Sequence, residues 1–264
     1  HGFYGDIAFE RLHTAVVDGQ GSRRDANVMS LGGEYVGHPD LKVSSRFEIR
    51  HESSDRDRLQ VLSLNRLSAT LGSGVSLFGR VDIMTTQDLL NKRREAEAMN
   101  FSLGLAYRPL DDTVTLLVKA ARIVDMRPAA LDPDAGSLRV TADVVSIEPI
   151  IELPLRLQLT PKFAYRRMVE EAEGLPAAES HTFLAALRVA LHLWKMFDIA
   201  AEYRWLSVDL ADNMEHGALA ELAINIGRYA RIGAGYNFTS FQDDLFDPLS
   251  ESRHGFFVRL TGMY

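Results

Sequence analysis

The chain has 264 residues, of which 46% are hydrophobic and 25% are charged, and its formal net charge is −7. No run approaches the roughly 18 consecutive apolar residues of a membrane-spanning helix, which excludes a helical membrane protein. The acidic balance argues against general nucleic-acid binding, because phosphate contacts need a concentrated basic surface. The absence of cysteine excludes disulfides and thiolate metal sites.

Apolar and polar residues alternate with a period of two from one end of the chain to the other, which predicts β-strands. The alternation is clearest in residues 41–51 and 154–167, where one parity is apolar and the other is charged. Because boundaries read from one sequence are approximate, the pattern fits about 12–16 strands. Our interpretation has fourteen, near residues 5–16, 28–37, 41–51, 58–71, 75–86, 98–108, 113–124, 138–148, 154–167, 180–193, 197–208, 217–227, 231–240 and 254–264.

Two of these segments do not keep a single register. In residues 59–71, Leu62 and Leu64 stand on the opposite parity from Leu67, so that either a bulge or a wrong assignment would account for the pattern. Residues 113–124 lose their register near Arg122. The sequence therefore does not determine which face of these two strands is apolar.

The connections between the predicted strands fall into two alternating classes. After even-numbered strands they are short, as at residues 38–40 and 72–74. After odd-numbered strands they are longer and polar, at residues 18–26, 90–97, 128–136, 170–179 and 242–253. Outer-membrane barrels of bacteria have short periplasmic turns at one rim and longer extracellular loops at the other. The pattern therefore predicts that both ends of the chain are periplasmic.

Alternation alone does not separate this architecture from a soluble β-sandwich. The predicted strands, however, carry apolar bands of about 9–11 residues, which match a tilted crossing of the hydrocarbon core. Sandwich strands are usually nearer five or six residues. Aromatic residues also gather toward strand ends, with Tyr107, Trp194 and Phe197 near the short turns and Trp205 and Phe238 toward the longer loops. Aromatic girdles of this kind mark the two membrane interfaces.

The last predicted strand is similar to that of a known class of proteins. Phe256, Val258, Leu260 and Tyr264 stand on one parity of the run from Gly255 to Tyr264, which closes on an aromatic residue. This run resembles the terminal strand that bacterial outer-membrane proteins present to the barrel-assembly machinery. The resemblance is to the porin-like class of barrels as a whole, and its sharpest motif covers only about ten residues.

The resemblance implies a closed antiparallel up-and-down transmembrane β-barrel, formed as a single domain over residues 1–264, in the cell outer membrane. It implies that Phe256, Val258, Leu260 and Tyr264 act as the assembly signal. Outer-membrane lipid and the assembly machinery would then be the partners of the chain. No cofactor is expected.

If the apolar parity faces lipid, the opposite parity lines the lumen. Charges there require water or mutual pairing, because an unpaired buried charge is very costly. The wall is then either a wet channel or a network of ion pairs, and its basic excess favours anions in the first case. The predicted lumen-lining residues are Arg46, Glu48, Arg50, Arg80, Arg108, Arg139, Arg156, Lys162, Arg166, Arg188, Glu202, Arg204, Glu221 and Arg259.

No catalytic or metal-binding constellation emerges from the sequence. The eight histidines are scattered without the spacing of a metal-binding helix, and no G-x-S-x-G motif occurs. Asp243, Asp244 and Asp247 form an acidic group, but they lack the glycine and the terminal glutamate of a defined calcium loop. We therefore expect neither an enzyme nor a metalloprotein.

Two functions fit this interpretation of the sequence. The first is an outer-membrane channel for the passive passage of small hydrophilic solutes, with anions favoured by the basic wall. The second is a C-terminal membrane anchor or export conduit of a larger protein or complex with a periplasmic or exported partner. The chain opens at His1 without a basic-then-apolar leader, so we expect that a signal peptide or an upstream region has been removed. A soluble all-β binding protein is the third alternative.

Overall fold

The computed structural model describes residues 2–15, 23–53, 57–109, 113–128, 137–193, 196–209, 213–226, 230–239 and 254–262. Within these ranges the regular structure is β-strand, apart from one short 3-10 helix at Pro154–Arg156. The strands are β1 (Phe3–Ala15), β2 (Arg23–His38), β3 (Leu41–Ser53), β4 (Asp57–Gly72), β5 (Val75–Asp88), β6 (Arg93–Tyr107), β7 (Val114–Pro128), β8 (Ser137–Leu153), β9 (Leu157–Ala172), β10 (Ala178–His192), β11 (Phe197–Val208), β12 (Asn213–Ile226), β13 (Ala230–Asn237) and β14 (Gly255–Gly262).

The strands form one 14-stranded sheet in which the strand order follows the chain order. Neighbouring strands from β1 to β5 and from β10 to β14 pair antiparallel. The prediction of an all-β, antiparallel, up-and-down sheet of about fourteen strands is therefore confirmed. β1 and β14 stand at the two ends of this order, and closure into a barrel stays a prediction.

Several strands extend beyond their predicted bounds. β2 begins at Arg23, β6 begins at Arg93 and β8 continues to Leu153. The ladder needs only paired backbone N–H and C=O groups, so it continues past the apolar band that marks a strand in the sequence. The strict alternation of short and long connections is consequently wrong, since residues 89–92 after β5 span less sequence than residues 108–113 after β6. Most of the predicted connections 18–26, 128–136 and 242–253 lie outside the described residues.

The start of the ninth strand differs from the prediction for a local reason. Pro154 stands at the break between β8 and β9, whereas Pro149 and Pro161, which also lack an N–H, lie within those strands. Leu155 and Arg156 then adopt positive φ angles of 68° and 62°, and β9 begins only at Leu157. Arg156, which was predicted to line the lumen, therefore lies in a turn.

The register of β4 settles the ambiguity of residues 59–71. From Asp57 to Thr70 the pairing with β3 and β5 is continuous, and the only shift follows Thr70, beside the tight turn at Gly72–Gly74. There is thus no bulge in this part of β4. Leu62 and Leu64 lie on the charged parity, directly across β3–β4 from Glu48 and Arg46.

The chain divides into two compact units. The first contains His1–Leu105, Lys119–Asp143 and Met168–Glu179, and the second contains Ala106–Val118, Val144–Arg167 and Ser180–Tyr264. In the first unit the large apolar residues of β1–β3 are exposed, with Ile7 at 75% and Phe47 at 41%. In the second unit Leu187 and Leu222 are likewise exposed.

Several residues on the opposite parity of the second unit are buried. Ala200, Leu219 and Ala223 are all nearly inaccessible, and Ala164, Leu184 and Leu206 form a small hydrophobic cluster against which Val208 packs. A soluble sheet with one covered face shows the reverse arrangement, because its large apolar residues occupy the covered face. The single-domain prediction over residues 1–264 stays a prediction.

Candidate functional site

The candidate site is the charged face, which we define as the strand parity opposite the exposed large apolar residues. Lys162 and Arg166 alternate with exposed Phe163 in β9. The registers place nine further predicted residues on this face, namely Arg46, Glu48, Arg50, Arg80, Arg188, Glu202, Arg204, Glu221 and Arg259. That this face lines a lumen stays a prediction.

Three predicted residues lie elsewhere. Arg156 occupies the turn before β9, and Arg108 follows Tyr107, the last residue of β6. Arg139 and the exposed Val145 lie an even number of positions apart along β8, so both lie on the apolar face. The prediction had assigned Arg139 to the opposite parity.

In the first unit three arginine–carboxylate pairs of β3 and β5 run along single strands. Arg46 Nη2 lies 3.3 Å from Glu48 Oε2, and Arg80 Nε donates to Asp82 Oδ2 at 2.5 Å. Arg50 Nη2 is 3.9 Å from Glu52 Oε2, which is too long for a hydrogen bond. These pairs join residues two apart in sequence, whereas Arg58 of β4 lies 2.7 Å from Glu95 of β6 and His51 of β3 lies 2.7 Å from Asp57 of β4.

A shallow cavity of about 270 Å³, which we call the basic depression, lies on the charged face of the first unit. Its lining includes Glu34, Lys42, Ser44, Arg66, Ser68, Phe78 and Arg80. Arg66 was missed at the sequence level because the register of β4 was ambiguous. Counting outward from the Gly72–Gly74 turn would have placed it opposite Arg80.

In the second unit the charges form a cross-strand cluster, which we call the ion network. Arg188 of β10 donates to Glu221 Oε2 of β12 at 2.8 Å and to Glu202 Oε2 of β11 at 3.3 Å. Arg204 Nε donates to Glu202 Oε1 at 2.6 Å, and Arg259 of β14 lies 3.5 Å from Glu221 Oε2. The side chain of Glu221 is only 2% exposed. The network therefore links four strands through buried carboxylates.

Two glycines make room for this network. A Cβ at Gly233 would lie 2.5 Å from Glu221 Oε1, and a Cβ at Gly235 would lie 2.5 Å from the backbone oxygen of Ala220. Phe257 covers Gly235 and carries the guanidinium of Arg259 at 5.7 Å from its ring centroid, within the range of a cation–π contact. Larger residues at these two positions would displace the groups that the network holds.

A second buried carboxylate lies at the ends of β10–β13. Asp198 accepts hydrogen bonds from Asn225 Nδ2 at 2.9 Å and from the His192 ring at 2.6 Å, while Arg231 lies 3.4 Å away. The sequence-based interpretation treated His192 as one of several scattered histidines. The direct pairing of His192 with Asp198 across β10–β11 was the signal that could have joined them.

The apolar face carries three tyrosine–histidine pairs. Tyr165 lies 2.7 Å from His181, Tyr203 lies 2.6 Å from His216 and Tyr236 lies 3.2 Å from His254, measured between the hydroxyl and a ring nitrogen. These polar tips stand beside Phe183, Phe238 and Phe256. An apolar body with a polar tip is the kind of residue that anchors a membrane interface.

The predicted assembly signal lies on the same apolar face. Phe256, Val258 and Leu260 are 90%, 75% and 74% exposed, respectively. Tyr264 lies outside the described residues. The role of these residues in assembly stays a prediction.

The described residues contain no group of three histidine or acidic side chains that could hold a metal ion. The acidic group Asp243, Asp244 and Asp247 lies outside them. Over the same part of the chain, no helix has the length and apolar character required to cross a membrane.

The sheet defines the fold class, which is an antiparallel up-and-down β-sheet of the kind found in solved bacterial transport proteins. The chain is similar to the siderophore receptor PirA from Pseudomonas aeruginosa, with a TM-score of 0.67 and 11% identity, and the match covers 89% of this chain and 45% of the receptor. A mutant of the ferric enterobactin receptor PfeA from Pseudomonas aeruginosa matches with a TM-score of 0.61 and 11% identity over 89% and 43% of the two chains.

The ferric citrate transporter FecA in its unliganded form matches with a TM-score of 0.58 and 9% identity, over 89% of this chain and 44% of the transporter. The chain therefore spans less than half the length of these structures, and at such low identity the likeness is one of fold. No protein-family model matches the chain. No curated protein matches it.

Proposed function

We propose that the chain is a transport barrel of a bacterial outer membrane that passes small hydrophilic solutes and favours anions. The observation that carries the proposal is the distribution of side chains between the two faces. One face exposes large apolar residues such as Phe9 and Leu222, and the other carries the arginines and carboxylates. This distribution is unfavourable in water and suits a sheet with lipid on one side and a polar interior on the other.

The fold comparison supports a transport role without defining the solute. The similar structures are named as siderophore receptors and a ferric citrate transporter, and each is about twice as long as the matched part. Strands β1–β12 have 12 to 17 residues, long enough for the roughly 9–11 residues of a tilted membrane crossing, while β13 and β14 have 8 residues each. The tyrosine–histidine pairs provide polar tips at the edge of the apolar face.

Cell fractionation and conductance test this proposal together. We expect the full chain in the outer-membrane fraction, with gel migration in detergent that changes on heating. The purified, folded protein in a planar bilayer under a KCl gradient should conduct, with a reversal potential displaced toward that of chloride. Cation selectivity would remove the anion preference. Folded protein without conductance would exclude the channel.

The ion network favours a second candidate, in which the barrel is a membrane anchor or export conduit with a periplasmic or exported partner. Glu221 is buried and pairs with Arg188 across strands, and Arg204 is buried and pairs with Glu202 of its own strand, so these residues are not free to select solutes. Loss of surface display or export of a protein when the chain is deleted, in the absence of conductance, would support this candidate.

A further inference from the structure

The basic depression brings three cationic side chains together on one patch of β3–β5. Arg66 of β4 is the direct cross-strand partner of Arg80 of β5, and Ser44 of β3 is its partner on the other side. Lys42 lies in the adjacent row, across from Ser68 and then Phe78. The cavity lining contains one acidic side chain, Glu34.

Two arginines in direct cross-strand register repel each other, and such like-charge pairs destabilise a sheet. Asp82 offsets part of this charge, because it accepts a hydrogen bond from Arg80. Among the described residues, Arg66 and Lys42 have no ion-pair partner. With Glu34 and Asp82 both counted, the patch keeps a positive excess that an anion would relieve.

The shape of the depression suggests more than a bare ion site. Ser44, Ser68 and Gly79, which have small side chains or none, line the depression together with the two arginines and Lys42. Phe78 stands on the charged parity and is 44% exposed. An aromatic ring beside a guanidinium fork offers an apolar surface and a bidentate oxyanion binder at the same place.

We propose that the basic depression binds small organic anions, with a carboxylate or phosphate group on Arg66 and Arg80 and an apolar body against Phe78. The guanidinium groups supply paired N–H donors that match the two oxygens of either group. Lys42 adds a point charge, and the hydroxyls of Ser44 and Ser68 lie within the same lining. The use of this site in solute passage rests on the proposed function, whereas its occupancy does not.

Isothermal titration calorimetry on the purified, folded full chain in a nonionic detergent tests the site directly. The probes are acetate, benzoate, inorganic phosphate and phenyl phosphate at low salt, with glucose as the uncharged reference. We expect saturable binding of the four anions and none of glucose, with each aromatic anion preferred to its non-aromatic counterpart. The order of benzoate and phenyl phosphate identifies which anionic group the site prefers.

Three variants locate the site. Arg66→Gln should weaken the binding of all four anions roughly tenfold or more, because charge-assisted hydrogen bonds are lost. Phe78→Ala should remove the preference for aromatic anions while the binding of acetate stays within twofold. Arg46→Gln is the matched control, since Arg46 lies on the same face but pairs with Glu48 along β3, and we expect binding within twofold of the original chain.

The inference is overturned if the original chain shows no saturable anion binding, or if Arg66→Gln binds the anions as tightly as the original chain. It is also overturned if Arg46→Gln weakens anion binding as much as Arg66→Gln does. The last result would indicate a diffuse field and no site. Heat-modifiable gel migration of every variant verifies that each is folded. Anion binding without conductance would support the site and count against the channel. Conductance together with unchanged anion binding in Arg66→Gln would support the channel and count against the site.

Discussion

The charged residues of β3–β5 and those of β10–β14 arise from the same alternation but pair in different ways. Arg46 and Arg80 keep 56% and 49% of their side-chain surface exposed and pair with a carboxylate two residues away on the same strand. Arg188 is 21% exposed, and it pairs with carboxylates of two other strands, Glu202 of β11 and Glu221 of β12. Alternation therefore determines the face of a residue, while its partners across the sheet determine whether that face stays accessible.

The difference has a physical cause in the residues between the charges. The first unit places Lys42, Arg46, Arg66 and Arg80 on neighbouring strands, so basic groups often face basic or neutral partners across the sheet. The second unit places opposite charges across from each other, as with Arg188 and Glu202, and adds Ala190, Ala200 and Gly233, which leave room for long side chains to lie flat. A stable buried charge needs such close partners.

The largest effect is expected from removing the shared acceptor of the ion network. Glu221→Ala deprives Arg188 and Arg259 of their common carboxylate and leaves the largely buried Arg188 with Glu202, at 3.3 Å, as its remaining partner. We expect a loss of about 3–5 kcal/mol in the free energy of unfolding, measured by urea titration of the protein folded in lipid vesicles. If Glu221→Ala does not reach the folded, heat-modifiable form at all, the loss of stability is larger still.

The matched control for this variant is Glu48→Ala in the first unit. Glu48 pairs with a largely exposed arginine on its own strand, so its removal should lower the free energy of unfolding by less than about 1 kcal/mol. Equal losses of unfolding free energy for Glu221→Ala and Glu48→Ala would contradict the difference that we describe between the ion network and the charged residues of β3.

A smaller effect is expected from filling the space under Phe257. Gly235→Ala places a Cβ 2.5 Å from the backbone oxygen of Ala220, which cannot move away without shifting β12. Overpacking of this kind costs about 1–3 kcal/mol. Gly33→Ala is the control, because its Cβ would meet its nearest atom, on Phe3, at an ordinary 3.6 Å. Thermal midpoints by gel migration would measure both, and a stable Gly235→Ala would show that β13 is less tightly packed than the geometry indicates.

Much of the fold could be predicted from sequence because its main determinant is local. A period of two in residues such as Val43, Phe47 and Ile49 specifies both the strand and its face. The strand ends could not be predicted equally well, since polar residues in Arg23–Asn27 continue the ladder without any apolar signal. Proline does not mark the strand ends either, since Pro149 and Pro161 lie within β8 and β9 while Pro154 stands between them.

The candidate site was predictable only in part. The face of Arg188, Glu202 and Glu221 follows from parity, whereas their contact depends on registers that bring three strands to the same level. Arg66 was missed because Leu62 and Leu64 obscure the alternation of β4. Register depends on turn geometry and cross-strand pairs, neither of which is a property of one strand alone.

The smallest expected effect provides the most direct test of the difference between the two charged regions. It measures the coupling energy between two side chains and not the stability lost when one is removed. In a double-mutant cycle on Arg46 and Glu48, we expect a coupling of less than about 0.5 kcal/mol, since exposed pairs are screened by solvent and lose side-chain entropy on pairing. The same cycle on Arg188 and Glu221, which lie 2.8 Å apart with little exposure, should exceed about 1 kcal/mol. Raising the salt concentration should diminish the first coupling and leave most of the second, because buried pairs are weakly screened. Couplings of equal size with equal salt dependence would mean that the two charged faces do not differ in kind.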